Sequence, residues 1–200
     1  MNETAIFRLF SVLALFAALL LAACSPPGGE ARPLQGSSIG GPFTLTNQDG
    51  ERVSDGDFAG KYRLVYFGFT YCPDVCPVDL QVIGQGLRQF EESDPEAAAK
   101  VQPIFISVDP ERDTPAVLKE FVRVFHPRLI GLTGSREEIK AIVERYGAYS
   151  KKMGEEGAKD YLVDHSRYVL LFGPEGEPIA IVPHDQGPDG VARELDRWVK

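Results

Sequence analysis

Arg63-Leu-Val-Tyr-Phe-Gly-Phe-Thr-Tyr-Cys-Pro-Asp-Val-Cys-Pro77 is the stretch that decides the fold. Its first seven residues, Arg63 to Phe69, are β-rich and almost continuously apolar, as in a central strand covered on both faces. They run directly into Cys72 and Cys76. From Val78 to Phe90 the apolar residues Leu80, Ile83, Leu87 and Phe90 then fall at helical spacing. A buried strand that feeds a helix with paired cysteines at its start implies an α/β domain.

The flanking sequence extends this pattern. Upstream, Phe43-Thr-Leu-Thr alternates as a short strand, and Asn47-Gln-Asp-Gly is a turn. Downstream, Pro103-Ile-Phe-Ile-Ser-Val is a second buried strand. Thr114 and Pro115 open a helix as N-cap and first residue. Ser135 to Tyr146 is a further helix, with Ser135 and Glu138 placed for a capping box. Tyr168-Val-Leu-Leu-Phe and Pro178-Ile-Ala-Ile-Val flank Gly-Pro-Glu-Gly and predict a β-hairpin, and Val191 to Lys200 predicts a closing helix. Parallel strands joined by helices, with an antiparallel hairpin, give a mixed central sheet flanked by helices.

The chain has 200 residues, 29 acidic and 21 basic, with a formal charge of −8. No Lys/Arg cluster is present to neutralise phosphates, which excludes nucleic-acid binding. At the N-terminus, Leu9 to Ala23 is an uncharged apolar run, short for a spanning helix and suited to a signal peptide. Leu21-Ala-Ala-Cys24 at its end resembles a bacterial lipobox, which implies cleavage before Cys24 and lipidation of that residue. Three segments follow: a signal peptide over 1–23, a lipid-anchored flexible linker rich in Pro, Gly and Ser over 24–40, and the folded domain over 41–200. The domain is expected on the periplasmic face of a bacterial cell envelope, tethered to a membrane.

With Cys24 assigned to lipid, two of the three cysteines remain, Cys72 and Cys76. At helical spacing their Cα atoms stand ~6 Å apart, close enough for a disulfide or a two-thiolate metal clamp. A helix N-terminus favours anions, so both thiols are expected to be acidified. Soft thiolates select Cu(I) or zinc. The chain has three histidines, His126, His165 and His184. Two sulfurs and one imidazole suit three-coordinate Cu(I) better than closed tetrahedral zinc. Three residues separate the cysteines where the common redox motif has two, and a reversible disulfide remains an alternative use of the pair.

These residues carry a family resemblance. Gly68-Phe-Thr-Tyr-Cys-Pro-Asp-Val-Cys-Pro, Ser107-Val-Asp-Pro-Glu-Arg-Asp-Thr-Pro and Tyr161-Leu-Val-Asp-His-Ser resemble, in order, three blocks of the Sco/SenC family. The resemblance spans roughly residues 41–200. It implies a thioredoxin-like fold, one bound copper, and service to the copper-bearing subunit of cytochrome c oxidase. It also implies Cys72, Cys76 and His165 as copper ligands. On this reading the protein is a metallochaperone rather than an enzyme of ordinary type. The alternative is a thiol–disulfide oxidoreductase that reduces the oxidase subunit's cysteines. A periplasmic copper chaperone or thiol reductant would be a further partner, and the chain is expected to be a monomer.

The remaining candidates have plainer readings. Asp164 neighbours His165 on an extended segment and faces the other way, so it is a contact around the site or for a partner. His126 suits a helix end. His184 lies in a Pro/Asp/Gly loop and is expected to be solvated. Met153 is an ordinary loop residue. Asp109 and Asp113 are expected in turn and cap roles.

Overall fold

A computed structural model describes residues 30–154 and 160–200. The chain divides into Met1–Ala31 and Arg32–Lys200, and the elements named below lie in the second unit. The expected signal peptide and the expected lipidation site Cys24 lie outside the described residues. Among the described residues, no helix is long and apolar enough to cross a membrane.

Among the described residues, nine strands and five α-helices lie in this unit. The strands are β1 (Thr44–Asn47), β2 (Arg52–Ser54), β3 (Tyr62–Gly68), β4 (Val101–Ser107), β5 (Ile130–Thr133), β6 (Ser150–Met153), β7 (Leu162–His165), β8 (Val169–Phe172) and β9 (Pro178–Val182). The helices are α1 (Val75–Ser93), α2 (Pro95–Ala98), α3 (Pro115–Val122), α4 (Arg136–Arg145) and α5 (Gly187–Trp198). Seven strands form one sheet in the order β2-β1-β5-β4-β3-β8-β9, and β6 and β7 form a separate two-stranded sheet. Strands β3, β4 and β5 run parallel, while β1 and β8 flank them antiparallel. The result is the expected thioredoxin-like α/β arrangement with a C-terminal hairpin and helix.

Burial explains why these segments form these elements. Every residue of β3 is buried, as a strand covered on both faces requires. Helix α1 turns Cys76, Leu80, Ile83, Leu87 and Phe90 inward at steps of three and four. It lies close against α5: a Cβ on Gly86 would stand 2.5 Å from the Val191 side chain and 2.7 Å from the Pro188 carbonyl. The predicted caps form. The Thr114 side chain accepts from the Val117 amide, and Ser135 and Glu138 close a capping box.

Residues 32–40 depart from the tether expectation. The Leu34 amide donates to the Ile179 carbonyl at 2.9 Å, and the Gly40 amide to the Arg145 carbonyl at 3.0 Å. Leu34 and Ile39 pack on the core. Two apolar side chains with their backbone bonds are enough to seat a segment that composition marks as linker.

Candidate metal centre

Local geometry sets the cysteines. Strand β3 ends at Gly68, and the chain turns through Thr70-Tyr-Cys-Pro-Asp into α1. Gly68 keeps this corner tight, since a Cβ there would lie 2.8 Å from the Phe105 ring and 3.1 Å from Cys76 Sγ. Cys72 precedes the helix and Cys76 lies in its first turn. The Cys76 amide donates to Cys72 Sγ at 3.4 Å, so this sulfur satisfies one of the helix's unpaired N–H groups. Both cysteines are free thiols.

Cys76 departs from the expected acidification. That residue is fully buried, and burial pushes its thiol up, against the opposing help of the Phe69 backbone. Desolvation of a thiolate outweighs the helix terminus here. A metal that replaces the proton removes this penalty.

His165 comes from β7, which pairs with β6 in the register Ser150↔His165 and Lys151↔Asp164. Its Nδ1 lies 2.9 Å from the Ser166 carbonyl, which as an acceptor places the proton on Nδ1. The free lone pair on Nε2 then faces Cys76 Sγ at 3.2 Å. Burial lowers the pKa of the imidazole, so it is neutral at neutral pH. Its ring meets Phe69 and Tyr66 edge-on, with centroids 5.8 and 6.3 Å away. The sulfur and nitrogen atoms of Cys72, Cys76 and His165 all lie within 4.8 Å of one another. Two soft sulfurs and one neutral imidazole nitrogen at this spacing fit copper. Asp164 is exposed and stands opposite Lys151.

The second block, Ser107 to Asp113, braces the site. Asp113 is fully buried, and its carboxylate accepts from the Thr70 amide at 3.1 Å, the Thr70 hydroxyl at 2.6 Å and the Ser107 hydroxyl at 2.6 Å. Asp109 accepts from the Tyr161 hydroxyl at 2.6 Å and from Arg112 Nε at 2.5 Å. The Arg112 guanidinium lies over the Tyr161 ring at 3.6 Å and the Tyr71 ring at 4.9 Å. Turn and cap roles therefore understate both aspartates. Asp113 fixes the loop that carries Cys72, and Asp109 with Arg112 fixes the start of the strand that carries His165.

His184 is also corrected. Its side chain is 12% exposed and its Nε2 lies 3.5 Å from Asp79 Oδ2. His126 is structural, as expected, but not by completing a helix dipole. It is 2% exposed, burial lowers its pKa, and its Nδ1 accepts the Arg128 amide at 3.2 Å. Met153 is exposed.

With the geometry in hand, likeness to known proteins identifies the family. The sequence matches the family described as SCO1/SenC over residues 31–200. It is 44% identical over 179 residues to the Arabidopsis thaliana protein "Protein SCO1 homolog 1, mitochondrial", covering 88% of this chain and 51% of that one. The chain spans about half the length of relatives of this kind. A solved structure of Bradyrhizobium japonicum ScoI with copper bound is 41% identical, with a TM-score of 0.72 over 80% of this chain and 99% of that one. BsSco, described as a member of the Sco family of cytochrome c oxidase assembly proteins with a disulfide switch, is 25% identical, with a TM-score of 0.61 over 84% of this chain and 97% of that one. A match that runs from residue 31 to the last residue, and a shared fold with two-fifths of the sequence in common, make this chain a member of the SCO1/SenC family.

Proposed function

We propose that this protein is a membrane-tethered copper metallochaperone that assists assembly of the copper centre of cytochrome c oxidase. Cys72, Cys76 and His165 hold one copper ion as cargo. The observation that carries this reading is the convergence of three soft or borderline donors from two distant segments, with the His165 lone pair aimed at Cys76. The copper-bound relative and the oxidase-assembly relative support it.

The residues divide the work. Cys72 offers its sulfur at a helix terminus, where the amides favour negative charge. Cys76 gives up its proton on binding, so retention weakens as pH falls. His165 binds through Nε2 while Nδ1 keeps its proton and donates it to the Ser166 carbonyl, which fixes the tautomer and the ring. An open cleft of about 550 Å³ beside the Cys72 loop is lined by Tyr71, Pro73, Met153 and Leu162. It offers a docking surface for the oxidase's copper-bearing subunit, and for a copper chaperone or thiol reductant that loads the site. The lipobox-like Leu21-Ala-Ala-Cys24 supports a lipid anchor on the periplasmic side. Replacing Cys24 with Ser should abolish labelled-lipid incorporation and release the chain from membranes.

The second reading is a thiol–disulfide oxidoreductase, favoured by two free thiols whose sulfurs lie within 4.8 Å of each other at the helix start. In that reaction the Cys72–Cys76 disulfide forms as a client disulfide breaks. Two electrons and two protons pass to the client sulfurs. His165 separates the readings. The deciding experiment reduces the protein anaerobically, adds Cu(I), and measures retention against a competing chelator for wild type and His165→Ala. One equivalent in wild type, with at least tenfold weaker retention in the variant, is expected. Equal retention in both removes His165 from the site and favours the oxidoreductase.

A further inference from the structure

Strand β7 belongs to the two-stranded sheet, not to the seven-stranded one that carries the cysteine loop. Its pairing with β6 fixes His165 within that hairpin, but not against the start of α1. Other contacts must set the distance between His165 and Cys76. At the far end of β7, Tyr161 is pinned by its hydroxyl to Asp109. At the near end, two residues beyond His165, Arg167 reaches Asp79 on α1. Its Nε donates to Oδ2 at 3.1 Å and its Nη2 to Oδ1 at 2.8 Å.

Asp79 is well placed to receive this clamp. It follows Cys76 by three residues on the inward face of α1, and its side chain is only 4% exposed. The same carboxylate accepts from the Tyr66 hydroxyl at 2.8 Å and lies 3.5 Å from His184. The Tyr66 ring, held in this way, meets both the His165 and the His184 rings edge-on. Arg167 itself is about half exposed, so the fold does not depend on burying it.

We infer that Arg167 is a positioning residue for the Cys72–Cys76–His165 site. Clamped on Asp79, it fixes the link that follows β7 and holds His165 Nε2 against Cys76 Sγ. The consequence for copper rests on the metal-site reading above, but the positioning itself can be measured without metal.

The test uses the full chain in detergent, reduced and metal-free, as wild type, Arg167→Leu and Arg167→Lys. NMR contacts between the His165 ring protons and those of Phe69 and Tyr66 report the position of the imidazole. Cu(I) retention against a chelator reports the site. Arg167→Leu is expected to keep the thermal transition and the backbone spectrum away from the site. It should weaken both ring contacts and lower copper retention by about tenfold, with partial recovery in Arg167→Lys, which restores one prong of the clamp. Wild-type ring contacts in Arg167→Leu overturn the inference, whether or not copper binds. A wild type that retains no copper overturns the metal-site reading instead, and the ring contacts still decide the role of Arg167. Should Arg167→Leu fail to fold, Asp79→Asn sets an amide against the guanidinium and is read by the same two measurements.

Discussion

A carboxylate near each end of helix α1 meets an arginine and a histidine from elsewhere in the chain, with opposite patterns of burial. Near its start, Asp79 is 4% exposed and its partner Arg167 is 52% exposed, with His184 alongside. Near its end, Glu91 and Arg128 are each 33% exposed, and His126, at 2%, is the buried member. Arg128 also donates to the Ala98 and Val101 carbonyls, so that cluster ties α1 to α2 and β4. Both carboxylates sit below their ordinary pKa. Burial opposes this at each end; His184, Arg167 and Tyr66 overcome it for Asp79, and Arg128 and His126 overcome it for Glu91. Composition therefore does not separate the two clusters. Their contacts do: Asp79 holds Tyr66, whose ring meets His165, whereas the partners found for Glu91 are Arg128 and His126.

The largest contrast is expected from removing each carboxylate. Asp79→Ala leaves the buried Tyr66 hydroxyl without its acceptor and should cost about 1–3 kcal/mol in denaturant unfolding. Copper retention should fall about 10–100-fold. Glu91→Ala breaks a partly solvated pair and should cost about 1 kcal/mol or less, with retention unchanged. Equal losses of copper in the two variants would erase the distinction between the clusters.

Two glycines sharpen it further. A Cβ at Gly68 would meet Phe105 at 2.8 Å, Cys76 Sγ at 3.1 Å and Tyr66 at 3.2 Å, whereas one at Gly84 would meet the Phe125 carbonyl at 2.6 Å, away from the site. Each alanine substitution should destabilise by roughly 1–3 kcal/mol through overpacking. Only Gly68→Ala should also weaken copper retention, by several-fold. Unfolding curves and the chelator assay on both variants read the two effects separately.

What the sequence discloses follows the same division between local and distant contacts. The cysteine pair at a helix start was legible because β3, the turn and α1 are consecutive. The caps at Thr114 and Ser135 were legible for the same reason. His165 was not, since nothing in its spacing from Cys76 says that a separate hairpin will bring it within 3.2 Å; the family resemblance alone supplied it. The bracing aspartates were misjudged because their partners, Thr70 and Tyr161, lie far away in the chain, and turn propensity describes only neighbours. His184 was misjudged likewise, its Pro/Asp/Gly surroundings giving no sign of Asp79. Strands β2, β5, β6 and β7 were not predicted: each spans only three or four residues, and unlike β1 and β8 none has a neighbouring turn that was read as its boundary; Ser150-Lys-Lys-Met also has no apolar alternation. For Cys76 the helix terminus was read correctly, but burial, which opposes it, is set by packing.

The smallest predicted effect concerns pH. Burial lowers the pKa of His126, so the folded protein resists a proton that the unfolded chain takes up below about 6.5. Its contribution to stability is whole above that value and declines as pH falls toward the lower folded value. His165 has the same sign. Glu91 and Asp79 also lose stability on acidification, but only as pH drops below the ordinary carboxylate range of about 4. Acid loss should therefore come in two stages, the histidines first and the carboxylates after. His126→Asn keeps an acceptor for the Arg128 amide and cannot titrate. It should shrink the first stage, leaving the part due to His165, and leave the second stage in place. Denaturation of the metal-free protein at stepped pH measures both stages. A variant with the wild-type slope between pH 6.5 and 5 would mean that His126 gains its proton as readily folded as unfolded, and the buried member of the distal cluster would then be a charged partner of Glu91 rather than a neutral one.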